Sequence, residues 1–578
     1  MNAILLAVIG LTAFVLGYRF YSKYVADKIY RLDPNFKTPA HEFEDGKDYV
    51  PTNKHVLWGH HFTSVAGAAP IVGPAIAIFW GWLPAVLWVV FGTIFFAGVH
   101  DFGTLWISSR HKARSMGAIA EDQINGRART LFMLIIFVLL MMVNAVFAIV
   151  IARLLVSFPG AVIPVWLQIP VAMTVGYVIH RKKGGSLLLP SIAALIVLYA
   201  LIWIGSMVPL EFSEVTFLGL PNHATWVLIL FVYAGVASLL PVWLLLQPRD
   251  YVNSHQLFVA LAILYLGVLF SNPTMAAPML NADPTGAPPL IPVLFITIAC
   301  GAISGWHGMV SSGTSSKQLD KETDARFVGY AGAVGEGILA LGAILATGAG
   351  LAATRADWGA IYSNWGAASG GAAGNFVSGF SALAGGIGIP AGLASVLGAV
   401  VVIMFAATTM DSGVRVQRYV LSEIGQIAKI KFLQKGAPAT IVAVLACLLL
   451  AFGAQPPGVE IGGGGLVIWP LFGTTNQLLA ALSLLCITLF LKRLGRNFFP
   501  ALIPMVFLLI VTIAAMSISI LQWLGITSDT PNYLLGVMGV LILFSALWML
   551  VEAILAFGKI KPEGGSATDT PGTVAVEP

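Results

Sequence analysis

Charge is scarce in this chain. Asp, Glu, Lys and Arg make up 10% of its 578 residues, hydrophobic residues 58%, and the mean hydropathy is +0.88. A sequence this apolar along its whole length leaves too little polar surface for a soluble enzyme or binding module. Cysteine is scarce too. Cys300, Cys447 and Cys486 all fall in apolar stretches, so they read as small buried hydrophobes and no disulfide framework follows. No G-x-x-x-x-G-K-[ST] phosphate loop is present, which argues against ATP as a driving force, and no H-E-x-x-H helix or other compact metal-ligand spacing occurs. The ~10-residue alternation of a membrane β-barrel is also missing. The net charge of +5 gives no reason to invoke nucleic acid. The first apolar run, residues 3–18, has neither a basic flank before it nor an A-x-A site, so it is expected to be a retained helix.

What the chain has in quantity is apolar runs able to cross ~30 Å of hydrocarbon. An all-α, polytopic membrane protein is expected, with about 15 spans near 3–18, 60–80, 84–103, 131–157, 163–180, 186–208, 225–247, 257–273, 290–312, 327–352, 391–412, 439–455, 466–490, 500–524 and 532–557. Of 31 Lys and Arg, 29 fall in alternate connections and only Arg153 and Arg355 fall elsewhere. The positive-inside rule then puts the N-terminus outside and the C-terminus in the cytoplasm. The expected organisation is an N-terminal helix and cytoplasmic loop (1–58), a transport core (59–412), accessory helices (413–560) and a tail of disordered composition (561–578). The polar loop 20–58 reads as a lid or a tether. The Gly-, Ala- and Ser-rich segment 353–390 reads as dipping into the membrane or capping its outer face.

Two spans are broken by Gly and Pro. WGHHFTSVAGAAPIVGP (Trp58–Pro74) is interrupted at Gly67, Pro70, Gly73 and Pro74, and YAGVASLLPVW (Tyr233–Trp243) at Gly235, Ser238 and Pro241. Broken spans at corresponding places in two halves point to a midplane site, since freed backbone groups must border a cavity or another element. The core is accordingly divided five and five, 59–208 and 225–412.

Ionisable groups at membrane depth are costly and mark function. His60, His61, His100 and His307 are candidates for a proton relay, because an imidazole changes charge near neutral pH. Glu336 is a proton-carrier candidate, and Asp101 pairs with His100 at a span end as a substrate- or ion-binding candidate. His55, His111 and His180 read as ordinary interfacial residues. Thr63, Ser64, Trp306, Ser311, Ser312, Thr314 and Ser315 offer groups near the broken helices, and hydroxyls with freed carbonyls suit a hard cation such as sodium. Asp411 and Arg415 are spaced i,i+4, for an ion pair or a cytoplasmic gate. Arg153 reads as a snorkelling side chain or, facing a cavity, as a carboxylate receptor. Asn476 and Gln477 read as helix-to-helix hydrogen bonders.

GHHFTSVAGAAPIVGP (Gly59–Pro74), HDFG (His100–Gly103), ISGWHGMVSSGTSSKQ (Ile303–Gln318), GYAGAVGEG (Gly329–Gly337) and TTMDSGVRVQR (Thr408–Arg418) together resemble the carbon starvation protein family, the CstA-type transporters. That resemblance implies uptake of peptides or, as in close relatives, pyruvate during starvation. It also implies a five-plus-five inverted repeat of the amino acid–polyamine–organocation type. The expected function is secondary active transport of a small carboxylate-bearing solute, not an enzyme. No cofactor is expected beyond H+ or Na+. Rival readings are a nutrient sensor without flux and a membrane metalloenzyme gathering His60, His61, His100, Asp101 and His307 round one ion.

Overall fold

The computed structural model describes residues 1–46, 48–181, 188–211, 219–455, 461 and 467–560, and the regular structure of these residues is helical apart from two isolated β-bridges. In chain order the helices are α1 (Ala3–Tyr30), α2 (Lys54–Ala66), α3 (Ala69–Trp80), α4 (Trp82–Arg110), α5 (Met116–Gln123), α6 (Gly126–Ser157), α7 (Pro159–Arg181), α8 (Leu188–Met207), α9 (Asn222–Leu239) and α10 (Leu246–Ser271). There follow α11 (Leu290–Thr297), α12 (Gly305–Gly313), α13 (Glu322–Gly350), α14 (Arg355–Ile361), α15 (Trp365–Gly385), α16 (Ala391–Ile427), α17 (Gly436–Gly453), α18 (Trp469–Arg493), α19 (Phe499–Trp523) and α20 (Tyr533–Lys559). Among the described residues thirteen helices are long and apolar enough to cross a membrane, and the bent pair α2–α3 makes a fourteenth. The expected span 290–312 is instead two short helices separated by residues 298–304. The tail from residue 561, and Lys182 and Lys183, lie outside the described residues.

The first break is where the sequence places it. Gly67 takes φ +30°, and a Cβ there would stand 3.0 Å from Phe147 and from Thr409 Oγ1. Glycine alone tolerates that turn and that crowding. Pro70 then falls in the first turn of α3, where its missing N–H costs nothing, and the pair bends by 46°. The second break is not at Tyr233–Trp243. α9 runs without interruption to Leu239, and Pro241 lies in the turn before α10, so that proline ends a helix instead of splitting one. The second broken span is α11–α12. It touches the first at close range: Gly73 sits so near that a Cβ on it would be 2.5 Å from the Thr297 carbonyl oxygen.

The backbone groups freed at this second break are satisfied by side chains of other helices, as an apolar surround requires. Gln477 of α18 donates to the Phe295 carbonyl at 2.6 Å, and Asn476 Oδ1 accepts from the Trp306 N–H at 2.9 Å. Thr93 of α4 donates to the Gly301 carbonyl at 3.0 Å. α12 packs on α4 and α18, α3 on α13, and α2 on α10; α6 and α16 cross in the centre, and α9 and α17 each pack on both of them. The Gly-rich segment forms α14 and α15, and α15 lies against α16, α3 and α10. α1 continues past the expected end of its span to Tyr30, so the polar connection is shortened to residues 31–53.

Candidate functional site

Four buried side chains form a continuous acid–base chain where α4, α12 and α13 meet. Asp101 lies between two imidazoles: His100 Nδ1 is 2.7 Å from Oδ1, and His307 Nδ1 is 2.7 Å from Oδ2. A carboxylate only accepts, so both Nδ1 atoms donate and each ring presents Nε2 on its far side. His307 Nε2 is 3.1 Å from Glu336 Oε2, so one proton suffices for that pair. His100 Nε2, His307 Nε2 and Glu336 Oε1 have no hydrogen-bond partner of good geometry, so the His307–Glu336 link is a close ionic contact, and all four residues are buried. His61 lies within Coulombic reach of Asp101 and His307 and contacts Ser315 Oγ at 2.9 Å.

Trp306, which precedes His307 in α12, lines a cavity of about 320 Å³, within the ~300–1,000 Å³ typical of small-molecule sites. Its inner end is formed by Ser64 and Trp306, one from each broken span, and Trp306 Nε1 donates to the Ser64 carbonyl at 2.9 Å. Met116, Met133 and Met309 give apolar walls, while His60, Lys317 and Arg415 give cationic or titratable ones. The mouth is bordered by Asp48 of the loop 31–53, and Ser312 and Thr314 also line the cavity. Their hydroxyls bond back to the Gly308 and Val310 carbonyls.

The structure thus brings together His61, His100, Asp101, His307 and Glu336, and separately gathers His60, Ser64, Trp306, Ser312, Thr314 and Arg415 round the cavity. Thr63 bonds to the Gly59 carbonyl of its own helix, and Ser311 Oγ is buried without a partner. Pro70 lies against Gly301 of the second break. Gly235 and Ser238 belong elsewhere, because they face α17 through Val444 and Thr440. Arg153 is half-buried near the far end of α6 from the cavity-lining Met133.

The expected Asp411–Arg415 pair does not form. Asp411 is bonded to Arg249 of α10 and to Tyr233 Oη at 2.8 Å. Arg415 donates to the Ala237 and Leu240 carbonyls at 3.0 and 2.6 Å, groups left over at the end of α9. The five residues considered for a metal do not converge either, since His60 turns away to Asp250 and His61 to Ser315. Among the described residues, the group with ligand atoms mutually within 4.8 Å is Cys300, His307 and Glu336. Sequence reading passed over Arg249, Asp250, Tyr233 and Thr409. An Arg-Asp dipeptide followed by an apolar run was the available signal for the first two.

A family model described as carbon starvation protein CstA matches residues 2–355 and 347–515. The peptide transporter CstA of Campylobacter jejuni is 32% identical, over 89% of this chain and 80% of its own length. The pyruvate/proton symporter BtsT of Escherichia coli is 32% identical, over 90% and 82%. The peptide transporter CstA of Bacillus subtilis is also 32% identical, over 97% and 98%. Among solved structures, a manganese transporter of Eremococcus coleocola superposes with a TM-score of 0.50 at 11% identity, covering 89% of this chain and 99% of that one, a likeness of fold alone. Matched nearly end to end by that model and by relatives at this identity, the chain belongs to the CstA carbon starvation protein family.

Proposed function

We propose that this protein takes up pyruvate or a short peptide across the bacterial inner membrane by proton-coupled secondary transport. The observation that carries the reading is the buried chain His100–Asp101–His307–Glu336, one residue along α12 from a cavity lined by Ser64 and Trp306 of the two broken spans. Such a chain can hold a proton at the His307–Glu336 contact and pass it as the broken spans move. Its relatives are named as transporters of those two solutes, one of them a proton symporter, which favours transport over an enzyme or a sensor without flux. The close approach of α2–α3 and α11–α12 at Gly73 and Thr297 supports a transport core built round two discontinuous helices. The distribution of Lys and Arg supports an outer N-terminus and an inner C-terminus.

Sodium coupling is the second reading. It is favoured by the buried, unpartnered hydroxyls of Ser64 and Thr409 on either side of the Gly67 break. Uptake of labelled pyruvate and of labelled dialanine into proteoliposomes, with pH and sodium gradients imposed separately, tests both. Accumulation on the proton gradient alone is expected. Accumulation on sodium alone would transfer the coupling role to the hydroxyls, and accumulation on neither would remove these substrates.

A further inference from the structure

His60 and His61 are consecutive in α2 and serve different clusters. His61 faces Ser315 and the acid–base chain, whereas His60 faces Asp250 of α10, with Nδ1 3.2 Å from Oδ2. Asp250 is fully buried, and neither of its oxygens receives a hydrogen bond. The guanidinium of Arg249, its neighbour in the chain, is bonded through Nη1 to Asp411 and Tyr233. A buried carboxylate without a donor is costly while it is charged and unpaired. A proton held with His60 removes that cost. His60 is also the member that touches the outside, because its side chain is 12% exposed and lines the cavity.

We infer that His60 and Asp250 form a second proton-binding pair, set in the cavity wall apart from the His100–Asp101–His307–Glu336 chain. Its part in transport rests on the proton-coupled reading above; its proton binding does not. The groups facing Asp250 are His60 from α2, Arg249 from its own helix, Asp411 from α16 and Tyr233 from α9. His60 faces Asp250 and, next in the chain, His61. With one proton the pair is neutral as a whole, an imidazolium beside a carboxylate or two uncharged groups. When the proton leaves for cavity water, the pair carries one negative charge on a buried site, and the contact tying α2 to α10 is weakened. The half of the first broken span that ends at Gly67 is thereby held or freed by a proton exchanged with the cavity.

Infrared difference spectra of the full-length protein in nanodiscs, recorded between about pH 5 and pH 8 where an imidazole titrates, test the pair directly. A carboxyl band that vanishes in Asp250→Asn and moves in His60→Gln is expected. A band unchanged in both overturns the proposal. If Asp250→Asn fails to give folded protein, His60→Gln carries the test alone, since it leaves Asp250 to titrate without its partner. In proteoliposomes, the ratio of proton-driven accumulation to solute exchange is expected to fall about tenfold in Asp250→Asn, the scale of a site-to-site coupling. A ratio equal to wild type would remove the pair from coupling. An Asp250-dependent band in a wild-type protein that shows no proton-driven uptake would overturn the transport reading and leave the proton pair standing.

Discussion

Asp101 is the residue on which the acid–base chain turns. Its two oxygens fix the tautomers of His100 and His307 together, so an amide in its place offers a donor where an acceptor is required. Asp101→Asn is therefore expected to reduce proton-driven uptake by about a hundredfold or more, the span of a lost acid–base partner, with the helical content unchanged in circular dichroism. Outside the spans, His111 follows the last turn of α4. Its Nδ1 donates to the Ile107 carbonyl at 2.7 Å, and its Nε2 accepts from Gln123 Nε2 at 3.1 Å. Burial holds this imidazole below its usual range; Arg114 and Arg493 add to the effect, while the Ile107 bond and Asp122 oppose it. The folded state therefore prefers the neutral ring. Its stabilisation is present above the unfolded imidazole value and is lost as pH falls below it. The unfolding temperature in detergent is expected to drop from about pH 7.5 to pH 5.5, and to drop less in His111→Asn.

At the scale of elements, two contacts control how the broken spans sit. α3 meets the end of α11 through Gly73, with no room for a side chain beside the Thr297 carbonyl. Gly73→Val is expected to destabilise the protein by about 1–3 kcal/mol through overpacking, read as a lower unfolding temperature. The second contact is the turn of α10 that carries Arg249 and Asp250. Arg249 reaches α16 and α9 through Asp411 and Tyr233, and Asp250 reaches α2 through His60. Arg249→Ala strands a buried carboxylate and is expected to cost about 3–5 kcal/mol, whereas Arg249→Met combined with Asp411→Leu should recover most of it. Recovery in the double variant, measured by thermal unfolding, would show that the single variant suffers from the uncompensated charge and not from lost packing. The loop 31–53 joins the same assembly. It pairs with the segment after α12 through the Thr52–Leu319 bridge, and its Asp33 N–H donates to Glu322, which also holds Arg110 at 2.5 Å.

For the whole molecule, the cavity fixes which face is open. It is bordered by the connections around Asp48, Ser115 and Lys317, the side on which Lys and Arg concentrate. The cavity thus faces the Lys- and Arg-rich side, which is cytoplasmic in the orientation proposed above. In a background without Cys300, Cys447 and Cys486, Lys321→Cys is expected to react with an impermeant maleimide only from the cytoplasmic side, and Asp283→Cys only from outside. Both parent residues are exposed and flank the broken span α11–α12, so labelling from one and the same side would overturn the orientation.

The sequence alone determined the polytopic helical class, most of the apolar spans and the first helix break, because in hydrocarbon these are local properties. An apolar run of sufficient length has one outcome, and Gly67 with Pro70 breaks a helix wherever the helix lies. His100, Asp101, His307 and Glu336 stand out because charge at depth is rare. Partnership, by contrast, was decided by the tertiary structure. Asp411 and Arg415 are spaced for a helical pair, yet Arg249 and the end of α9 compete for them across the bundle and take them. Pro241 has the same local signal as a mid-helix break, and only the position of α10 turns it into a helix end. His60 and His61 are identical side chains one residue apart. The ~100° between successive helix positions sends one to the cavity and the other to the acid–base chain, a difference that requires knowing what surrounds α2.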